Sequence, residues 1–226
     1  MFDLGRAIVI TGHYGSGKTN IAVNLALDRA GKGERVCVVD LDIVNPYFRT
    51  ADFGELFKRY DIRLAAPQFA NTNLDIPSLC IDMEALLDNY DRVILDVGGD
   101  DSGALALGQY AALLTMRGCD MLYVVNKYRY LTHFPEEAVE LLRDIEQASG
   151  LKAAGIINCS NLGEGTTAED VESSRGFAEE CARAAGIPVV FTAAKRGLNV
   201  KDAYPVEVYV RPFWEEKAAD SDNGDS

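Results

Sequence analysis

Short apolar runs alternate along this chain with longer segments in which apolar residues recur at helical spacing. The helical segments are bounded by residues such as Gly31, Pro135 and Gly186, and one of them covers residues 104–116. The apolar runs have the length of strands and occupy residues 7–10, 36–39, 62–66, 92–95, 121–125, 154–157 and 189–191. Continuous apolar strands separated by helices are typical of right-handed βαβ units. The pattern therefore predicts an α/β fold with a mostly parallel, doubly wound sheet of about seven strands.

The chain is predicted to form one domain followed by a short tail. It has 226 residues, of which 48% are apolar, and this is enough for one α/β core. No linker or repeat interrupts residues 1–213. Residues 214–226 contain five acidic residues and one basic residue among Ser, Gly and Asn. Because such a segment has few apolar groups to bury, we expect it to be a solvated, disordered tail.

The stretch of residues 12–19 has the pattern Gly-x-x-x-x-Gly-Lys-Thr and lies between the first predicted strand and the first predicted helix. In this context the motif binds nucleotide phosphates, because the glycines turn backbone N–H groups inward and the helix start adds further donors. Lys18 is predicted to contact the β- and γ-phosphates, and Thr19 is predicted to ligate Mg²⁺. The predicted nucleotide-binding residues here are Gly12, His13, Tyr14, Gly15, Ser16, Gly17, Lys18, Thr19 and Asn20.

Acidic residues close two of the other predicted strands, and ligands bind at this end of a parallel sheet. Asp96 ends the fourth apolar run, so its carboxylate is predicted to hold Mg²⁺ through a water, while the N–H of Gly99 reaches the γ-phosphate. Asp40 and Asp42 follow the second run and point to the same side of an extended backbone. We expect one of them to join the metal shell and the other to orient the attacking water, the alternative being a pair of turn residues.

Together these motifs resemble the MinD/ParA group of ATPases, which shares its core with the nitrogenase iron protein and the dethiobiotin synthetases. The resemblance covers residues 7–191, and besides the glycine-rich loop it rests on Asn-Leu-Ala at 24–26 and Val-Val-Asp-Leu-Asp at 38–42. It implies a parallel-sheet, Mg²⁺-dependent ATPase that usually acts as a nucleotide-dependent dimer. It also implies that Asp42 positions the water and that Asp96 is the Walker B acid. The catalytic residues are then Lys18 and Asp42, and the metal ligands are Thr19, Asp40 and Asp96, with the choice of Asp40 or Asp42 for the water left open.

One position departs from the family pattern. The family has a second lysine at the second residue of the loop, which reaches the partner's phosphates across the dimer, and here that residue is His13. A histidine is shorter and mostly neutral at pH 7. We therefore expect a homodimer to be weak or to depend on nucleotide. Arg49 either supplies the missing cation or is a surface residue.

The sequence favours adenine over guanine. Guanine readers use Asn-Lys-x-Asp, in which the Asp accepts hydrogen bonds from guanine, whereas residues 126–129 are Asn-Lys-Tyr-Arg. Asn158 carries an amide that can both donate to and accept from adenine, and it matches the adenine-side Asn of the resembled family. Asn161 is the alternative reader of the base. The predicted cofactors are ATP and Mg²⁺.

Composition narrows the expected partners and compartment. The net charge of −13 repels phosphate backbones and anionic lipid, so neither nucleic acid nor a membrane is an expected partner. No apolar run is long enough to span a membrane, and the first residues lack a secretory pattern. The five cysteines are scattered singly, which is typical of reduced thiols. We therefore expect a cytoplasmic protein.

Three functions are compatible with these motifs. The leading hypothesis is a slow ATPase switch that acts on a protein client, for example during maturation of a cofactor or metalloenzyme. The second is a small-molecule kinase or ATP-dependent ligase, in which the polar loop at 68–77 binds an acceptor. The third is a nucleotide-binding regulator with negligible turnover. Because a fold does not determine a function, the reaction products must separate these hypotheses.

Overall fold

The computed structural model describes residues 4–42, 50–66 and 81–210. Within these residues an eight-stranded sheet has only parallel neighbouring strands. In chain order the strands are β1 Ala7–Thr11, β2 Val36–Leu41, β3 Arg63–Ala65, β4 Arg92–Val97, β5 Cys119–Val125, β6 Ala153–Asn158, β7 Val189–Lys195 and β8 Tyr204–Val206. The α-helices are α1 Lys18–Ala30, α2 Gly54–Arg59, α3 Met83–Asn89, α4 Asp101–Gly108, α5 Ala111–Arg117, α6 Pro135–Ser149, α7 Ala168–Ser173 and α8 Arg175–Ala185.

Strand β1 lies at the point where the order of the sheet reverses. The spatial order is β3-β2-β4-β1-β5-β6-β7-β8, and β1 pairs with β4 on one side and with β5 on the other. In open parallel sheets a crevice forms beyond the carboxyl ends of the strands at such a point. The glycine-rich loop follows β1 directly, so the fold places it at this crevice.

Alternate residues of the strands pack into two apolar layers on opposite faces of the sheet. In β1, Ala7 and Val9 belong to the layer that contains residues of α3, α4, α5, α6 and α8. Ile8 and Ile10 belong to the layer that contains residues of α1 and α2. Since both faces are covered, a central strand is apolar at most positions, which explains the nearly continuous runs in the sequence.

The predicted fold class is confirmed, and the differences concern short elements. Strand β8 was not predicted, because it has three residues and contains Pro205, which is tolerated at the edge of a sheet. The helix predicted over 104–116 is wrong as a single helix: α4 ends at Gly108, and α5 begins at Ala111. Helices α2 and α7 have six residues each, too few to show a helical period.

Three sequence-based predictions lie outside the described residues: the cation at Arg49, the acceptor loop at 68–77 and the tail at 214–226. In the part of the chain that the structure describes, no helix combines the length and apolar character needed to cross a membrane.

Candidate functional site

The glycine-rich loop turns tightly between β1 and α1. The N–H of Ser16 donates to the carbonyl of His13 at 3.1 Å. Gly17 has a φ of 98°, a conformation that favours glycine. A Cβ at this position would also lie 2.7 Å from the sulfur of Cys159, the residue that follows β6. The loop therefore packs directly on the end of β6, and Gly17 leaves no room for a side chain.

Lys18 is buried beside this loop together with Asp40, near the end of β2, and Asp42, the residue that follows β2. The Nζ of Lys18 lies 3.8 Å from Oδ2 of Asp42. Asp40 makes a different contact from Asp42. Its Oδ1 accepts a hydrogen bond from the backbone N–H of Asp42 at 3.0 Å. The Asp40 carboxylate thus holds the backbone as it leaves β2, and Asp42 is the acid that pairs with the lysine of the loop.

Asp96 is a fully buried carboxylate with an unusual environment. It lies next to Asp40 in the neighbouring strand, and within the described residues its oxygens make no hydrogen bond of ordinary geometry, although the nearby Thr19 hydroxyl acts to lower its pKa. Burial raises the pKa of Asp96 to about 7; the charge of Lys18 acts against this shift and that of Asp40 adds to it. Leaving such a group without a partner costs free energy. A divalent cation or its bound water would supply the missing partner, so Asp96 fits a metal role.

The residues around Asp96 fit Mg²⁺ bound together with phosphates. Thr19 is buried at the start of α1. Within the described ranges, no three His, Cys, Asp or Glu side chains are arranged as a complete metal site. Mg²⁺ is commonly held by one or two protein groups, with phosphates and waters filling its shell. Among the residues that the structure describes, the buried hydroxyls of Thr11 and Ser16 also have no hydrogen-bond partner, and phosphate oxygens would provide acceptors for them.

The backbone after β4 touches both the loop and the acid after β2. A Cβ at Gly99 would overlap the carbonyl oxygen of Gly12. A Cβ at Gly98 would lie 3.1 Å from Oδ1 of Asp42. Gly99 is therefore packed against the start of the glycine-rich loop, the location from which its predicted contact with the γ-phosphate would be made.

Replacing Gly99 with alanine is expected to distort the glycine-rich loop. The new methyl group meets a backbone carbonyl, which cannot rotate away, so we expect a loss of about 1–3 kcal/mol in the free energy of unfolding. We also expect weakened nucleotide binding, measured by titration calorimetry. The matched control is Gly176→Ala in α8, where a Cβ meets no atom and stability should not fall. A Gly99→Ala chain as stable as the wild type would contradict this packing.

The ring of His13 does not provide a positive charge at the loop. Its Nδ1 donates to the carbonyl of Tyr14 at 2.9 Å. Burial lowers the pKa of His13, and the charges of Lys18 and Arg129 act in the same direction. The hydrogen bond to Tyr14 opposes this shift without cancelling it. The imidazole is therefore neutral at pH 7.

Asn158 does not have the geometry predicted for a base reader. It is fully buried at the end of β6. Its Nδ2 donates to Oγ of Ser174 at 2.9 Å, and its Oδ1 accepts from Oγ of Ser160 at 2.7 Å. These hydrogen bonds occupy the amide and tie β6 to the start of α8. An amide engaged in this way presents no edge to adenine, so the predicted role does not fit this conformation.

The loops after β5 and β6 are joined to each other beside the glycine-rich loop. The Oδ1 of Asn126 accepts from the backbone N–H of Asn161 at 3.3 Å. The backbone N–H of Lys127 donates to Oγ of Ser160 at 2.9 Å. Asn161, the alternative base reader, is only partly buried, and its Nδ2 donates to the carbonyl of Cys159 at 2.8 Å. The two loops form one wall of the crevice, on the side of β5 and β6.

The side chain of Asn20, which was predicted to bind the nucleotide, is hydrogen-bonded to the segment that follows β8. Its Oδ1 accepts from the backbone N–H of Tyr209 at 2.8 Å, and its Nδ2 donates to the carbonyl of Glu207 at 3.0 Å. Asn24 lies one turn later in α1. Its Nδ2 donates to the carbonyl of Glu207, and its Oδ1 accepts from the backbone N–H of Glu207. Both asparagines thus anchor the segment after β8, and any contact of Asn20 with phosphate would come from its backbone.

Two residues of this region were missed as contacts of the loop. Cys159 packs on Gly17, and the Nε of Arg129 donates to the carbonyl of Gly15 at 2.6 Å. The sequence pattern identifies Arg129 only as the residue at the position of the guanine-reading Asp. The available signal is its position in the short loop after β5, a strand that neighbours β1, because residues beyond the carboxyl ends of neighbouring strands converge.

The amino-acid sequence matches no protein-family model and no curated protein. The structure is similar to the cell division protein FtsY of Thermotoga maritima, with 19% identity, a TM-score of 0.59, and coverage of 90% of this chain and 66% of that protein. It is similar to FtsY of Mycoplasma mycoides, with 18% identity, a TM-score of 0.58, and coverage of 86% and 62%. It is also similar to the signal recognition particle 54 kDa protein of Aeropyrum pernix in complex with GDP, with 19% identity, a TM-score of 0.54, and coverage of 85% and 42%.

These similarities show the fold. The chain has the mostly parallel α/β architecture of the P-loop NTPases, with the glycine-rich loop after β1. It spans about 62% of the length of the Mycoplasma mycoides protein. At this level of identity the similarity does not distinguish families that share the fold.

Proposed function

We propose that this chain is a Mg²⁺-dependent ATPase of the MinD/ParA type that acts as a nucleotide switch on a protein client. The observation that carries the proposal is the arrangement beside the glycine-rich loop: Lys18 is buried against Asp42, and the buried Asp96 carboxylate makes no hydrogen bond of ordinary geometry within the described residues. Phosphates bound with a divalent cation would satisfy the lysine and the unpartnered acid at the same time. The resemblance of residues 7–191 to that group supports the same proposal.

The Lys18–Asp42 pair suggests how binding and hydrolysis are linked. In this conformation the ammonium and the carboxylate neutralise each other across 3.8 Å. Phosphates compete for the ammonium through charge-assisted hydrogen bonds. When Lys18 turns to them, the Asp42 carboxylate can accept a hydrogen bond from a water and orient it for attack. Thr19 and Asp96 would hold Mg²⁺, which supplies neutralising charge at the phosphates.

We propose ATP as the nucleotide and keep GTP as the second candidate. Residues 126–129 contain no carboxylate, and the guanidinium of Arg129 has donors only, so it cannot accept hydrogen bonds from guanine. Asn161 is the proposed base reader, because it is only partly buried, whereas Asn158 is fully buried. The Nδ2 of Asn161 uses one N–H for Cys159 and keeps a second for a base, and its Oδ1 accepts from the backbone N–H of Gly163 at 3.2 Å. The specific observation in favour of GTP is the fold similarity to a protein solved with GDP.

The test is phosphate release by the purified chain with Mg²⁺ and either ATP or GTP, with Lys18→Ala as the background. We expect slow release from ATP without any acceptor, and weaker binding of GTP. Faster release from GTP would reassign the nucleotide. Transfer of phosphate to an added small molecule would support a kinase or ligase. Tight binding with no turnover would support a regulator.

ATP-induced dimerisation is expected to be weak. Two facing triphosphates need compensating positive charge, and the neutral ring of His13 does not provide it. Sedimentation of the Asp42→Asn chain with and without ATP measures this directly. A residual dimer should depend on Arg49. A tight ATP-induced dimer that survives Arg49→Ala and is lost with His13→Ala would refute this expectation.

A further inference from the structure

Arg129 is an exposed arginine whose guanidinium lies on the glycine-rich loop. Its Nε donates to the carbonyl of Gly15 at 2.6 Å. A Cβ at Gly15 would lie 3.2 Å from Cζ of the arginine, so the two groups are in direct contact. Across the described residues, the two terminal amino groups of Arg129 have neither a hydrogen bond nor a carboxylate partner. In a chain with a net charge of −13, these donors remain available to a ligand.

The loop that carries Arg129 is held by several hydrogen bonds. The backbone N–H of Arg129 donates to the carbonyl of Asn126 at 3.2 Å, and the N–H of Thr132 donates to the carbonyl of Arg129 at 3.2 Å. The hydroxyl of Tyr128 donates to the carbonyl of Asp170 in α7 at 2.8 Å. The guanidinium is therefore presented from a fixed backbone, which lowers the entropy that a contact with a ligand would cost.

The position of the guanidinium decides which part of a nucleotide it meets. In a phosphate-binding loop the N–H groups turn towards the phosphates, so a donor bound to the Gly15 carbonyl lies on the other side of the loop. Asp42 follows β2, and Asp96 is the last residue but one of β4. Both strands lie on the same side of β1, so the metal and the γ-phosphate would lie on that side. The opposite end of the nucleotide then lies towards β5 and β6, where Arg129 is located.

We propose that Arg129 contacts the ribose and base of the bound nucleotide and does not contact the γ-phosphate. A guanidinium plane stacks on aromatic rings, and its remaining N–H groups can donate to ribose or ring acceptors. The inference rests on the proposed nucleotide-binding function and assigns a nucleoside-side residue within it.

The test compares the affinities of wild type and Arg129→Ala for tripolyphosphate, ADP and ATP, each with Mg²⁺. We expect ADP and ATP to bind more weakly by the same factor, roughly 3- to 30-fold, and tripolyphosphate to be unaffected. The matched control is Arg117→Ala. This arginine ends α5 just before β5 and pairs with Asp88 of α3, so it lies at the amino ends of the strands, away from the glycine-rich loop. It should leave all three affinities unchanged.

Each other outcome contradicts the inference. Equal weakening of all three ligands would mean that Arg129 only holds the loop through Gly15. A larger loss for ATP than for ADP would mean a contact with the γ-phosphate, and three unchanged affinities would remove Arg129 from the site. If the wild type binds none of the ligands, the proposed function fails and the inference fails with it. If the wild type binds all three, only the inference is at risk.

Discussion

A chain with Lys18 replaced by alanine is expected to lose at least about a hundredfold in affinity for Mg-ATP, or about 2.7 kcal/mol of binding free energy. The ammonium is the buried positive charge at the loop, and without it the phosphates would face the carboxylates of Asp42 and Asp96. Calorimetric titration with a slowly hydrolysed ATP analogue measures the loss. A well-folded variant with unchanged affinity would show that the glycine-rich loop is not the nucleotide site.

Folding must be separated from binding in this variant. Removing Lys18 takes the ion-pair partner from the buried Asp42, so we expect the melting temperature to fall. The double variant Lys18→Ala/Asp42→Asn removes both charges and should recover part of the stability but none of the binding. Lys152→Ala is the matched control, because that exposed lysine pairs with Glu146 away from the loop. It should bind Mg-ATP like the wild type.

The Asp42→Asn chain is expected to bind Mg-ATP nearly normally and to hydrolyse it at least about a hundredfold more slowly, which is about 2.7 kcal/mol of barrier. The amide keeps the shape of the side chain but is a much weaker proton acceptor and no longer balances the charge of Lys18. Single-turnover phosphate release measures the chemical step apart from binding.

Asp40→Asn is the informative comparison for this prediction. The Asp40 carboxylate holds the backbone N–H of Asp42, and an asparagine oxygen can accept the same hydrogen bond. We therefore expect a smaller loss of rate than with Asp42→Asn. Asp144→Asn, at an exposed position in α6, should change neither step. Turnover close to wild type in Asp42→Asn, with a large loss in Asp40→Asn, would transfer the water-orienting role to Asp40.

The α/β class, most strands and the position of the glycine-rich loop were accessible from the sequence because they depend on neighbouring residues. A strand covered on both faces is apolar at most positions, and β1 shows this as a continuous run of four apolar residues before Thr11 and Gly12. The glycine at position 17 indicates a tight turn by itself, and the structure has a φ of 98° there, a conformation that favours glycine. Such signals do not require knowledge of distant contacts. The short elements β8, α2 and α7 lack enough residues to repeat a pattern, so they were missed.

The directions of the polar side chains at the site were decided only by the tertiary structure. The residue types suggest that Asn158 reads a base and that Asn20 binds phosphate. In the structure Asn158 is hydrogen-bonded to Ser174, and Asn20 is hydrogen-bonded to the segment after β8. Arg129 reaches Gly15 across 114 positions of sequence, and no local pattern encodes that approach. An amide or guanidinium has several donors that many partners satisfy equally well. Its partner is therefore chosen by which strands the fold brings side by side, whereas burial of an apolar run is determined by its own composition.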